Sequence, residues 1–130
     1  MSYWGYHLVA NFGRCNPEMI RCAPNISLFA KTLVKKINMV PYGEPLVQHF
    51  GSGNKSGYTL VQLIETSNIV AHFVEETDDM YLDVFSCKPF YPDTVKKVVS
   101  QYFRPLNTNA QFMIRQAGMN PLVKSQYELK

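Results

Sequence analysis

This chain has little that suits a metal, a disulfide or a membrane. Its three cysteines, Cys15, Cys22 and Cys87, are an odd number with no CxxC pair, which argues against a disulfide framework and against the common zinc spacings. His7 stands near the first two cysteines, but two soft ligands with six residues between them and no second pair are a poor match to known sites. No metal is expected. No apolar run reaches the ~18–20 residues of a membrane span. The opening MSYWGYHLVANF also lacks the basic stretch and long apolar core of a secretion signal, so a cytoplasmic protein with no membrane partner is expected. Basic charge is thin as well: 13 Lys and Arg against 10 Asp and Glu leave +3. The doublets Lys35-Lys36 and Lys96-Lys97 read as solvated helix faces, whereas a nucleic-acid surface would want a denser basic stripe. Nucleic acid is not an expected partner.

What is present is the composition of an ordinary globular chain, 46% hydrophobic and 18% charged over 130 residues. That length fits one domain, residues 1–130, which can bury roughly two-thirds of its unfolded surface without covalent staples. Residues 3–12 are aromatic and β-branched with partial alternation and read as a strand; Asn16-Pro17 breaks it. ISLFAKTLVKKINM repeats apolar residues at helical spacing, with lysines opposite and Asn25 as its expected cap. PLVQHF, YTLVQLIE, NIVAHFVEE and MYLDVFSC read as strands, with GSGNKSG a polar loop and TDD a turn. TVKKVVSQYF is expected to be helical, AQFMIRQA a last strand, and the tail from Gly118 irregular. This order predicts an α+β two-layer sandwich, two helices on one face of a mainly antiparallel sheet.

Three reactive side chains stand in two neighbouring apolar runs: Ser67, His72 five residues on, and Cys87 twenty residues on. Each alone has a bland explanation. Ser67 lies in Thr66-Ser67-Asn68, which suits a turn. A strand histidine is more often a satisfied, half-buried imidazole than a catalyst, and a cysteine ending an apolar strand is usually a small hydrophobe.

Together with their surroundings they form a pattern. TSNIVAHFVEETDDMYLDVFSC resembles the core of the prokaryotic S-adenosylmethionine decarboxylases. There Glu-Ser-His is followed by a hydrophobic stretch to a second His, then Trp-Pro-Glu, then Val-Asp-Val-Phe-Thr-Cys. Ser67, His72, Glu76, Asp83, Phe85 and Cys87 fall on the matching positions without a gap, and GYHLVANF resembles the family's opening strand. The resemblance covers roughly residues 4–116.

It implies an enzyme that makes its own cofactor, a pyruvoyl group generated from Ser67. The Ser67 hydroxyl would attack the Thr66 carbonyl and turn the peptide into an ester, with Thr59 a candidate hydroxyl donor in place of a family serine. His72 would remove the α-proton of residue 67 as a general base. Elimination would leave residues 1–66 and 67–130 as two chains, the second beginning with the pyruvoyl group. That carbonyl would take the substrate amine as a Schiff base and act as electron sink for loss of carbon dioxide. Cys87 would return the proton, a thiol in an apolar setting keeping its proton better than an exposed one. Glu76 would hold the ribose hydroxyls and Phe50 would stack on adenine. The resemblance implies a homodimer with sites at the protomer interface, S-adenosylmethionine as substrate, and a place in spermidine synthesis.

The chain departs from the family where Glu-Ser-His becomes Thr66-Ser67-Asn68, where Trp-Pro becomes Val74-Glu75, and in the longer loop GSGNKSG. Two other functions are therefore left open: a pyruvoyl decarboxylase of ornithine or arginine, and an uncleaved homologue that binds or regulates a partner.

Overall fold

The structure, a computed structural model, describes residues 3–129, with side chains described as far as residue 124. Seven strands make one sheet: β1 (Gly5–Gly13), β2 (Leu46–Phe50), β3 (Gly57–Ile64), β4 (Ser67–Val74), β5 (Asp79–Ser86), β6 (Asn107–Arg115) and β7 (Leu122–Leu129). Their spatial order is β2-β3-β4-β5-β1-β6-β7, and every neighbouring pair is antiparallel. The first strand therefore lies between the fifth and the sixth.

Period-two alternation sorts the sheet into two faces. Tyr6, Leu8, Ala10 and Phe12 on β1, Ile69, Ala71 and Phe73 on β4, and Met80, Leu82 and Val84 on β5 are all buried. Helices α2 (Ala23–Lys36) and α3 (Pro92–Phe103) supply the facing layer. From α2 come Ile26, Phe29, Ala30, Leu33 and Val34; from α3 come Val95, Val98, Val99 and Phe103. Phe103 is the hinge of this packing, its ring 4.9 Å from Phe29 and 5.0 Å from Phe73 in tilted contacts that aromatic pairs favour.

The opposite face has no covering layer among the described residues. Val9, Val61, Val70 and Phe85 there are half-buried by their neighbours alone, while Leu63 and Tyr81 remain 48% and 42% exposed. A sheet with helices on one side and a half-apolar open side is the α+β two-layer sandwich expected from the element order.

Three local expectations need correction. The tail from Gly118 is not irregular: β7 pairs with β6 from Thr108–Leu129 to Ile114–Leu122, with a register shift between Phe112 and Met113. Asn25 does not cap α2, which starts at Ala23 with Cys22 at the cap position; its amide instead donates to the carbonyls of Met19 and Tyr102, tying α2 to α3. Asn16-Pro17 does more than break a strand. It opens a four-residue helix, α1 (Pro17–Ile20), whose first two free amides are accepted by the Asn16 side chain, with proline at the helical position that has no amide to lose.

Candidate active site

The Thr66–Ser67 bond sits in a two-residue turn, Glu65-Thr66, between β3 and β4, with Ile64 paired to Ser67 across it. Separate contacts hold this turn. The Glu65 N–H donates to the Val40 carbonyl at 2.9 Å, and the Cys87 N–H donates to the Thr66 carbonyl at 2.9 Å. The hydroxyl of Ser86, fully buried, donates to the Thr66 hydroxyl at 2.8 Å. The Thr66 hydroxyl in turn points to the Met39 sulfur at 3.3 Å. Ser67 has φ of 156°, at the edge of the positive range that residues with a side chain rarely adopt, so the turn's hydrogen bonds hold a residue in an unusual backbone conformation. Register explains why Cys87 is there. Ser67 pairs with Ser86, which puts the next residue of that strand beside Thr66.

His72 is elsewhere. Five residues along a strand is an odd number, so His72 belongs to the open face while Ser67 is in phase with the buried Ile69. The two are roughly 17 Å apart along β4 at the usual rise of a strand. Direct action of His72 on residue 67, the role that the resemblance implies, is therefore out of reach within one chain. His72 instead pairs with Thr59, whose Oγ1 lies 3.3 Å from His72 Nδ1. When Nδ1 carries the proton and donates to that hydroxyl, Nε2 is left as a free base.

Glu76 lies in the β4–β5 turn at the same end as His72 and is exposed. Phe50 ends the edge strand β2 opposite Gly57, 60% exposed, also at that end. Glu75 is already engaged, accepting from His49 Nε2 at 2.9 Å. The expected residues thus divide into two groups at opposite ends of the sheet: Thr66, Ser67 and Cys87, and Phe50, Thr59, His72 and Glu76. The Cys87 thiol is exposed, not in the apolar setting expected of it.

Sequence reasoning missed what surrounds Cys87 on the open face. Phe85, two residues earlier on that face, has its ring 5.8 Å from Trp4 and 5.3 Å from His7, and Arg115 lies over it at 4.8 Å. Gly5 makes room: a Cβ there would come within 2.6 Å of the Phe85 ring. Trp4, Phe85, Arg115 and Met119 line a cavity of about 500 Å³, within the usual size of a small-molecule site. The signal was an aromatic and a glycine side by side at the chain's start, but only the β1–β5 register shows that they meet Phe85.

His7 beside this cavity is polarised on both nitrogens. Arg115 Nη1 lies 3.4 Å from Nδ1 and, being only a donor, requires a lone pair there. Nε2–H then donates to Asp83 Oδ1 at 3.1 Å. These contacts suit a neutral ring, and burial lowers the His7 pKa from its usual value against the opposing pull of Asp83. Among the described residues no group of three His, Cys, Asp or Glu side chains is placed to hold a metal ion. No described helix is long and apolar enough to cross a membrane.

The model of the S-adenosylmethionine decarboxylase family matches residues 6–116, most of the chain and both ends of the sheet. The chain belongs to the S-adenosylmethionine decarboxylase family. It is by that membership an enzyme, a decarboxylase of S-adenosylmethionine. The fold agrees with the crystal structure of the adenosylmethionine decarboxylase from Aquifex aeolicus VF5, with a TM-score of 0.75 at 20% identity, over 92% of this chain and 97% of that one. No curated protein matches by sequence.

Proposed function

We propose that this S-adenosylmethionine decarboxylase cuts itself between Thr66 and Ser67, works through a pyruvoyl group formed from Ser67, and supplies decarboxylated S-adenosylmethionine for spermidine synthesis. The observation that carries the reading is the Cys87 N–H on the Thr66 carbonyl at 2.9 Å. When the Ser67 hydroxyl adds to that carbonyl carbon, negative charge gathers on the oxygen, where a fixed amide donor stabilises it. Collapse breaks the C–N bond and leaves Thr66 as an ester on Ser67 Oγ, with the Ser67 amine free. Removal of the α-proton of residue 67 then expels the Thr66 carboxylate from Cβ, and water releases ammonia to leave the pyruvoyl group. A turn fixed through both the carbonyl and the side chain of Thr66 fits such a product.

The base is proposed to be His72 of a second copy. The open sheet face carries Val9, Val61, Val70 and Phe85 with no layer over it among the described residues, and sheets pack face to face through such surfaces. A two-fold axis through the middle of that face lays the Ser67 end of one copy over the His72 end of the other. Two composite sites result, each with Thr59, His72, Glu76 and Phe50 from the opposite chain. Covering also supplies the dry surroundings that the exposed Cys87 thiol lacks in a single chain.

The pyruvoyl carbonyl supplies the electron sink for loss of carbon dioxide, as pyridoxal phosphate does. The chain's own groups do the rest. Cys87 Sγ holds the proton that replaces the lost carboxylate. Glu76 accepts from the ribose hydroxyls, Phe50 stacks on adenine, and the Trp4 and Phe85 faces suit the sulfonium.

Intact mass of the purified protein tests the cut: two fragments meeting at 66 and 67, the second without a free amine. One unbroken chain after long incubation overturns the reading. Mixing Ser67→Ala with His72→Ala chains tests the shared site. Neither variant alone is expected to cut, whereas in the mixture the His72→Ala chain is cut. Cleavage of His72→Ala by itself would remove the base from His72.

A further inference from the structure

Behind the sheet, on the helix side, lies a second cavity of about 540 Å³. It is not the site just described: its floor is Tyr6 and Phe112, on the buried face, whereas His7, Phe85 and Cys87 face the other way. The Tyr6 and Phe112 rings stack at 6.4 Å, and Phe90 meets Phe112 edge-on at 5.4 Å. Three flat apolar walls are thus held in place by their own contacts.

The rim is of one sign. Lys36 from the last turn of α2, Lys88 from the segment after β5 and Lys124 from β7 line the cavity, and among the described residues no Asp or Glu does. No carboxylate pairs with these three lysines among the described residues. Lys88 instead donates to the main-chain carbonyl of Asn38, another lining residue. Three lysines from three separate parts of the chain thus line one cavity. An anion there meets a rim of one sign and can gain charge-assisted contacts from it. A cation such as S-adenosylmethionine finds no carboxylate there.

We propose that this cavity binds a small amphipathic organic anion, a carboxylate carried on an aromatic ring, with the ring on Tyr6, Phe90 and Phe112 and the carboxylate among Lys36, Lys88 and Lys124. The volume lies in the range of small-molecule sites, which pair apolar walls with a few converging polar groups. Lysine is well suited to such a rim, because it meets the anion as a point charge on a long stem, without demanding one geometry. The position also matters. Lys88 follows Cys87, and Asn38 precedes Met39, whose sulfur meets the Thr66 hydroxyl. An anion that takes Lys88 from the Asn38 carbonyl acts next to two of the contacts of the 66–67 turn, those from Cys87 and Met39.

The test uses three probes that share one ring: 3-phenylpropionate, its neutral amide, and 3-phenylpropylamine. Each is titrated into the full ¹⁵N-labelled chain and followed by amide shifts. The expected result is saturable one-to-one binding of the carboxylate, with shifts centred on residues 36–38, 88–94 and 124. The amide should bind at least ten-fold more weakly and the amine not measurably. A Lys36→Ala, Lys124→Ala double variant, shown folded by circular dichroism, should bind the carboxylate at least ten-fold more weakly. Equal binding of all three probes would reduce the cavity to a nonspecific apolar cleft. Unchanged affinity in the double variant, or no saturable binding of the carboxylate, would overturn the proposal. None of these readouts depends on self-cleavage.

Discussion

The main-chain N–H of Cys87 and the carbonyl of Thr66 are hydrogen-bonded at 2.9 Å, so one residue offers two different groups to two different steps. In the proposed mechanism its amide serves the cut and its thiol serves turnover, and substitution can separate them. Cys87→Ala keeps the N–H: self-cleavage is expected at a near-normal rate, with carbon dioxide release falling on the order of 100-fold or more, the usual worth of a general acid. Cys87→Pro removes the N–H: cleavage itself should slow by roughly 100-fold, the usual loss for one oxyanion donor. Intact-mass time courses and labelled carbon dioxide release read the two effects. Ser67→Ala is expected to leave the chain whole.

Ser86 anchors the same turn from below, its hydroxyl donating to Thr66 and accepting from the Lys88 amide at 3.0 Å. Ser86→Ala leaves the methylene in place but removes both bonds. A loss of about 1–2 kcal/mol is expected, the ordinary cost of a buried hydroxyl's hydrogen bonds. Thermal unfolding should show a lower midpoint, and the rate of self-cleavage should fall with it. Ser86→Thr keeps the hydroxyl and should restore the rate if the extra methyl fits.

His7 makes stability depend on pH in a defined direction. Burial lowers its folded pKa below the unfolded 6.5. Between those two values the unfolded chain binds more protons than the folded one, and stability falls as pH falls. Its contribution is complete above about 6.5 and is lost as pH falls from there through the lower folded value. Denaturant midpoints from pH 8 to pH 5 should decline, and His7→Gln should flatten that part of the decline. An unchanged profile would show that His7 is not the group responsible.

The three thiols should react in order of access. Cys87 is exposed, Cys22 intermediate and Cys15 buried, and burial, with Asp79 and Asp78 nearby, pushes the Cys15 thiol up to about 12. Iodoacetamide, which needs a thiolate it can reach, should label Cys87 first and leave Cys15 unlabelled in the native protein. Peptide mass spectrometry over time gives the order. If the open sheet face is covered by a second copy, diluting the protein should speed labelling of Cys87 and leave Cys22 unaffected.

Strands β1 and β3 to β6 and helices α2 and α3 were legible because their buried residues repeat at two or at three and four positions. Strand β2 has no buried residue and was legible only as a short β-prone run between Pro45 and the GSGNKSG loop. β7 was not legible: LVKSQYEL has no apolar alternation, and its place comes from main-chain pairing with β6, which composition does not encode. Helix α1 is too short for periodicity, although Asn16 before Pro17 was its local signature. In the site, the residue types were legible and their distances were not. That His72 and Ser67 fall on opposite faces follows from the odd spacing alone. That Cys87 reaches Thr66 depends on the β4–β5 register, which no local pattern states.

The interleaving of strands gives the cut a consequence for folding order. Residues 1–66 supply β1, β2 and β3 while 67–130 supply the other four, and β1 sits between β5 and β6. Pieces severed by the proposed cut would stay together as long as the sheet lasts. Once unfolded, they must find each other again, and recovery becomes a second-order reaction whose yield depends on concentration. The uncut precursor folds as a single chain, in a first-order step whose yield does not depend on finding a partner piece.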